Sequence, residues 1–513
     1  MTMYDIVIKN GKIIDGTGSD GYFSDVAIEN GKIKKIGKDI EGGKLVIDAK
    51  GLVVTPGFID SHSHSDKNML TYPEQIEKVE QGITTSVAGM CGASIYPIPK
   101  ENASGESLCD KYETMGELLS RADSIAQGSN TGLFVGHRNL RRSVMGMENR
   151  EPTEDELNEM KALLRDGLEN GAIGVSFGLI YTPSSYAKTD ELISLARVAA
   201  EYGALVSAHI RDEGDFVEEA VTEFITIIKA SGARGIISHH KAMHKKNHGK
   251  VNNTLKMIEA ANAEGFDIYC DVYPYIASET TLEARFIPGE YRKESEKLVE
   301  YLNDEKICRE IKNINLEKWG DDLSWVLINK CEGYPEYTGL TLDKIAEIHG
   351  KDVYETVFDI LRKSNGSAQA AYFTMSEDDV DTVISYPRAM ICTDSSAARG
   401  MPLYHPRLRG SFPRALGRYV RERKTVTLPE MIRKMTSLPA YVYGFETKGI
   451  IKEGMDADIC IFNPETICDR ADFADCTRRA EGLSYVIVNG VVAAENAVYT
   501  GAMSGKVLLR KVK

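Results

Sequence analysis

The sequence predicts an α/β fold, a (β/α)8 barrel of the TIM type with a small β-sandwich formed by both chain termini and an inserted lid subdomain. Three observations carry this. Short Val/Ile-rich runs alternate with helical stretches between residues 55 and 445, the pattern of a parallel sheet covered by helices. Eight such runs can be counted, the number that closes a barrel. Strands separated by Asn-Gly occur at both ends of the 513-residue chain, and neither end is long enough to bury a core by itself.

At the N-terminus the strands read Asp5–Lys9, Asn10-Gly11, Lys12–Asp15, then Val26–Glu29, Asn30-Gly31, Lys32–Ile36. Asn-Gly between alternating strands is a strong hairpin signal. The same grammar returns in Ala457–Phe462 and in Tyr485–Val488, Asn489-Gly490, Val491–Ala494, so residues 1–54 and 446–513 are expected to share one sandwich. The barrel is expected over 55–445. Its runs are Val53–Asp60, Thr84–Gly89, Gly132–Gly136, Ile173–Gly178, Leu205–His209, Gly235–His239, Asp267–Tyr273 and Ala389–Thr393. Good helices lie between most of them, such as Glu154–Glu169, with Thr153 as N-cap and Glu156 three residues on. Roughly 115 residues separate the last two runs, far more than an ordinary connection. An insertion over 283–341, with helical material at Tyr291–Leu302 and Asp304–Ile311, accounts for the gap. It follows an active-site edge, which suggests a lid.

Hydrophobic residues at 42% and charged residues at 27% are ordinary for a globular protein. A formal net charge of -14 and a pI near 5.4 argue against nucleic acid or an anionic membrane surface as partner, since both are bound through basic patches. A small-molecule substrate fits better. No run is long enough to cross a bilayer, and the N-terminus lacks a basic region followed by an apolar segment. Nine cysteines without Cys-x-x-Cys pairing are unlike a disulfide framework. A cytoplasmic protein is expected.

Catalysis in such a barrel occurs at the C-terminal ends of the strands, and metal-ligand residue types gather there. His62 and His64 follow the first run, in Asp60-Ser61-His62-Ser63-His64; strand alternation points both imidazoles the same way, as half of a metal site. Cys91 follows the second run, as a small buried hydrophobe or a thiolate ligand. His137 follows the third and Tyr181 the fourth, while His209 ends the fifth, as ligand or as core histidine. In Ser238-His239-His240-Lys241 the strand period places His239 and Lys241 on one face and His240 on the other, so His239 is the candidate ligand. Lys241 then borders the pocket, where it holds a substrate carboxylate, or else it is solvated. Tyr273 and Tyr275 follow the seventh run, and Asp394 closes the eighth, as an N-cap or as a general base beside a metal-activated water.

Beyond these single residues, whole stretches resemble a known family. Pro56-Gly57-Phe58-Ile59-Asp60 leading into His62-x-His64, the late Asp394 and the tail Thr436-Ser437-Leu438-Pro439-Ala440 resemble the amidohydrolase superfamily. Within it, Gly136-His137-Arg138-Asn139-Leu140-Arg141, Gly178-Leu179-Ile180-Tyr181-Thr182-Pro183 with Tyr186-Ala187, Ser238-His239-His240-Lys241, Asp271-Val272-Tyr273-Pro274-Tyr275 and His405-Pro406-Arg407 before Gly410-Ser411-Phe412 resemble the D-aminoacylases, or N-acyl-D-amino-acid deacylases. The resemblance covers nearly the whole chain.

It implies zinc-dependent hydrolysis of an N-acyl-D-amino acid to a carboxylate and a free D-amino acid. A tightly held Zn2+ is then expected on Cys91, His209 and His239, and a second, weaker metal position framed by His62, His64, Cys91 and Asp394. Asp394 would take the proton of the attacking water and return it to the amine, and Tyr181 would help hold the oxyanion. Lys241 and Arg407, with Ser278, would grip the α-carboxylate. The loop Ser395–Pro402 departs from the family pattern, which bears on side-chain specificity. A rival on the same fold is a cyclic amidase of the dihydropyrimidinase or hydantoinase type, which needs a carbamylated lysine after the fourth strand. Here that strand ends Ser176-Phe177-Gly178, with Lys188 ten residues on. Non-catalytic hydantoinase-like scaffolds lose ligands that this chain keeps.

Overall fold

The computed structural model describes residues 3–99, 112–292, 295–396 and 405–511. Eight parallel barrel strands run in chain order: Phe58–Asp60, Ile83–Ala88, a third in two pieces (Asn130–Leu133 and Val135–Gly136), Gly174–Gly178, Leu205–His209, Arg234–Ile237, Ile268–Val272 and Ala389–Ile391. The eighth meets the first where Ser61 Oγ donates to Ile391 O at 2.9 Å and Asp394 N donates to His62 O at 2.9 Å. The third strand breaks at Phe134: its first piece pairs with the second strand and its second piece with the fourth. The chain's tail, Val507–Leu508, pairs with the first piece.

One apolar residue from each strand or its lead-in fills the interior: Ile59, Val87, Phe134, Ile173, Leu205, Ile236, Tyr269 and Met390 pack in one buried cluster. Leu438, Tyr443 and Phe445 belong to the same cluster, and Tyr443 donates to Ser61 O at 2.6 Å. The interior is therefore packed and the strand ends are left for chemistry. Helices cover the outside, among them Glu154–Glu169, where Thr153 and Glu156 form the expected capping box.

Both termini feed one nine-stranded sheet, joined where Val53–Pro56 lies antiparallel to Ile459–Phe462 and parallel to Lys12-Ile13. This divides the expected run Val53–Asp60: its first half belongs to the terminal sheet and its second to the barrel. The switch falls at Gly57, where a Cβ would stand 2.3 Å from the Thr84 side chain. A second difference concerns Asn10-Gly11, which makes no hairpin. Tyr4–Ile13 is a single strand with a register shift between Ile8 and Gly11, along the partner strand Tyr22–Glu29. Asn10 has φ of 62° and provides the kink of a bulge. Asn30-Gly31 and Asn489-Gly490 do turn hairpins, with both residues of each pair at positive φ, as the tight turn requires.

The insertion is larger than 283–341. A three-stranded antiparallel sheet of Ser278–Thr281, Gln369–Tyr372 and Val326–Lys330 carries the helices Leu282–Phe286, Ser295–Leu302, Glu305–Trp319, Leu342–His349 and Val353–Lys363. Their apolar residues form a buried cluster of their own, from Leu282 to Tyr372. Its first strand, Ser278–Thr281, is polar throughout and its last, Gln369–Tyr372, is four residues long, so neither end stands out by hydrophobic period.

Candidate metal centre and reaction cavity

Cys91 lies at the point where three histidines converge. Its Sγ is 3.4 Å from His62 Nε2, 3.2 Å from His239 Nε2 and 3.7 Å from His209 Nδ1. Two ligands on one tetrahedral zinc, with Zn–S of about 2.3 Å and Zn–N of about 2.0 Å, would stand about 3.5 Å apart. The donor set therefore fits a zinc ion by chemistry and by spacing. Single donor atoms of His62, Cys91, His239 and Asp394 all lie within 4.8 Å of one another, as do those of His209, Glu213 and His239. Among the described residues, His62 Nδ1 and His209 Nε2 are buried without a hydrogen-bond partner; a carboxylate oxygen lies 3.4 Å from each, of Asp271 and Glu213 respectively.

The backbone bends to bring these groups together. Cys91, His239 and Asp394 have φ of 53°, 36° and 48°, a region that side-chain-bearing residues seldom occupy and that clusters at functional sites. The strand period does not govern 238–241, because the sixth strand stops at Ile237; the turned backbone at His239 aims its ring toward Cys91. His240 faces the helix behind, where its Nε2 meets Thr254 Oγ1 at 2.8 Å. His62 and His64 also lie beyond their strand, yet both approach Asp394 Oδ1, at 3.4 and 3.1 Å.

Asp394 is buried and held on both oxygens, Oδ1 by His64 and Oδ2 by Arg407 Nη1 at 2.7 Å. Burial opposes its charge, but the Arg407 and His239 charges and the His64 hydrogen bond outweigh it and hold the carboxyl well below its usual range. Cys91 follows the same balance: burial pushes the thiol up, and the charges of His62 and His239 with hydrogen bonds from His209 and His239 bring it well below its usual value.

These residues floor a cavity of about 370 Å3 that also exposes Tyr181, Lys241, Ser278 and Arg407. Tyr181 sets its ring edge against His209 and its hydroxyl 3.3 Å from Thr280 Oγ1. Arg407 is buried, reaches Glu279 at 3.4 Å through Nη2, and lies over the Tyr273 ring. Ser278 Oγ lies 3.9 Å from Met243 Sδ. Lys241 Nζ is already engaged, at 2.6 Å from Glu213 Oε1 and 2.8 Å from His239 Nδ1. The insertion contributes one wall through Glu279, Thr280, Thr281, Arg285, Lys330 and Gln369. His137 stands apart from both donor groups, paired with Glu191 at 2.8 Å and Ser184 at 3.0 Å. Tyr275 packs beneath His405, away from the donors. The departing loop after Ser396, residues 397–402, lies outside the described residues.

Three site residues escaped the sequence reading. Glu213 faces His209, His239 and Lys241, and its spacing four residues after His209 was a usable signal. Asp271 accepts His239 N at 2.6 Å and sits inside a stretch already singled out. Glu279 depends on the insertion's first strand, which left no mark in the sequence.

Residues 45–494 match the model of the amidohydrolase family. The chain is 32% identical to a D-aminoacylase of Alcaligenes xylosoxydans xylosoxydans, over 99% of this chain and 98% of that one. It is 35% identical to an N-acyl-D-glutamate deacylase from the same organism, over 95% and 93%. Among solved structures it resembles the N-acyl-D-glutamate deacylase of Bordetella bronchiseptica complexed with zinc and a phosphonate mimic of the tetrahedral intermediate, with a TM-score of 0.85, 34% identity and coverage of 99% and 100%. A D-hydantoinase at 16% identity and a TM-score of 0.57 shares the fold. Fold, donor set and full-length similarity agree: the chain belongs to the amidohydrolase family, in its D-aminoacylase branch.

Proposed function

We propose that the chain is a zinc-dependent deacylase that hydrolyses the amide bond of N-acyl-D-amino acids to a carboxylate and a free D-amino acid. The convergence of His62, His209 and His239 on Cys91, with Asp394 alongside, carries the reading. Cys91, His209 and His239 would hold the tight zinc; His62, His64 and Asp394, sharing Cys91, would hold a second, weaker metal. Zinc, when bound, supplies a Lewis acid that polarises the acyl carbonyl and acidifies water at neutral pH.

The chain's own residues do the rest. Asp394, ionised and fixed on both oxygens, takes the proton of the attacking water at Oδ1 and returns it to the leaving nitrogen. The Tyr181 hydroxyl turns from Thr280 to the developing oxyanion. Arg407 and Lys241, with Ser278, grip the α-carboxylate, Arg407 exchanging its long contact with Glu279 for the substrate. This clamp and the acyl carbonyl fix two points of the chiral centre, and the cavity wall fixes the third, which selects one enantiomer. The insertion acts as a lid over that wall.

The cyclic-amidase alternative draws no support from the fourth strand, since Lys188 is exposed at the start of the helix Thr189–Glu201. A reducing, cytoplasmic setting suits the eight described cysteines, all free, and among the described residues no helix is long and apolar enough to cross a membrane. Chiral chromatography of racemic N-acetyl-leucine after incubation tests the reading. The D form should be consumed and the L form left; loss of both at equal rates contradicts it.

A further inference from the structure

His405 is buried at the edge of the reaction cavity, beside Arg407 and Ser278. Its Nδ1 lies 3.1 Å from Arg407 N and its Nε2 lies 3.1 Å from Ala277 O. A backbone N–H only donates and a carbonyl only accepts, so the two bonds together require a neutral ring with its proton on Nε2. Burial and the Arg407 charge favour that form, holding the imidazole well below its usual pKa.

Each bond answers a local need. The helix Arg407–Arg414 starts behind Pro406, which stands at the N-cap, and a proline side chain has no acceptor to offer the free N–H groups of the first turn. His405 supplies one from the residue before. Ala277 directly precedes Ser278–Thr281, the strand of the insertion that carries Ser278 and Glu279. The imidazole therefore ties the start of the Arg407 helix to that strand. The ring itself packs edge-on against Tyr275, with centroids 5.4 Å apart, and against Phe473 at 4.8 Å. Phe473, in the C-terminal segment, also meets Phe373 at 4.8 Å, just past the insertion strand Gln369–Tyr372. Barrel loop, insertion and terminal segment thus converge on His405. At its tip Arg407 touches Asp394 at 2.7 Å and Glu279 at 3.4 Å. When the guanidinium exchanges Glu279 for substrate, its placement depends on Asp394 and on the backbone that His405 holds.

We propose that His405 is the positioning residue of Arg407, its imidazole capping the helix start and fastening it to the insertion's first strand so that the guanidinium stands where the α-carboxylate binds. The proposal rests on the deacylase reading above. A double-mutant cycle with Arg407 tests it. His405→Phe keeps an aromatic ring in the cluster and makes neither bond. With N-acetyl-D-leucine, kcat/KM should fall about tenfold or more, with KM raised. In an Arg407→Met background the same substitution should change kcat/KM by no more than about twofold, because the group it positions is gone. Equal losses in both backgrounds would show a general structural role and overturn the proposal, as would no loss in the wild-type background. His405→Asn keeps an acceptor toward Arg407 N but falls short of Ala277 O, and it carries the same cycle where the Phe variant does not fold. A long-range 1H–15N spectrum of the imidazoles, with His405 assigned by comparison with His405→Asn, tests the bonding without turnover. His405 should appear as the neutral form with its proton on Nε2; the other tautomer or a charged ring overturns the bridge. If the wild type does not hydrolyse N-acetyl-D-leucine, the deacylase reading fails, and the imidazole spectrum still decides whether His405 places Arg407.

Discussion

Arg407 Nη1 lies 2.7 Å from Asp394 Oδ2, and both side chains are buried. The pair gives Arg407 two tasks, holding the substrate's carboxylate and keeping Asp394 ionised as a base. Arg407→Met should therefore lower kcat and raise KM together, with kcat/KM down at least a hundredfold. Against burial, Arg407 is the leading influence holding the Asp394 carboxyl down, so its loss raises that pKa. The acid limb of the kcat/KM profile should move to higher pH. A pH–rate profile of the variant checks this.

Asp394→Asn keeps a hydrogen-bonding side chain beside His64 and Arg407 but cannot accept a proton from water. Turnover should fall by about 10²–10⁴-fold, the usual worth of a general base, while the tight zinc stays bound through Cys91, His209 and His239. Metal analysis beside steady-state kinetics checks both halves, and retained activity would remove Asp394 from the mechanism.

Cys91→Ala removes the atom that all three histidines face. The purified variant should carry well under one equivalent of zinc and show no deacylation, while its far-UV circular dichroism stays native, because the barrel interior is packed by residues of a separate cluster.

Much of this was legible in the residues, and the exceptions have physical causes. The eight strands announced themselves because they are buried on both faces and read as apolar runs. Cys91, His209, His239 and Asp394 stood out because each closes such a run. The turned backbone that aims Cys91, His239 and Asp394 left no trace, since positive φ at a non-glycine is imposed by surrounding packing. Asn10-Gly11 carries the same dipeptide as two true turns and became a bulge, because the strand continues along Tyr22–Glu29. The limits of the insertion and the place of Glu279 depend on pairing between segments some ninety residues apart, which no local period encodes.

Lys78 is buried beneath the seam of the first and eighth strands, with Nζ 2.7 Å from Asp60 Oδ2 and 2.6 Å from Thr393 Oγ1. Asp60 also accepts Thr393 N at 2.8 Å, so this pair ties the strand before His62 to the residue before Asp394. Lys78→Met leaves the Asp60 carboxylate buried and unpaired, and should cost about 3–5 kcal/mol. Urea unfolding of the variant measures it.

Asp456 binds the two halves of the terminal sheet together, with Lys32 at 2.6 Å and Lys448 at 3.2 Å. Burial raises its pKa, but the Lys448 charge and the Lys32 hydrogen bond bring it down to about 2. Its contribution is fully present above the ordinary carboxylate value and is lost as pH falls through about 2. Allowing for solvent screening, Asp456→Asn should cost about 1 kcal/mol at neutral pH. Stability measured from pH 7 downward should show the difference from wild type shrinking below about pH 4.

The central claim is that a zinc ion at Cys91, His209 and His239 serves deacylation of an N-acyl-D-amino acid. Zinc titration of chelator-treated protein, with N-acetyl-D-leucine, N-acetyl-L-leucine and hydantoin assayed in parallel, tests it most directly. Release of the D-amino acid should rise linearly to one equivalent of zinc, with the L form and the ring untouched. Full activity without metal, or ring opening without deacylation, would contradict the account.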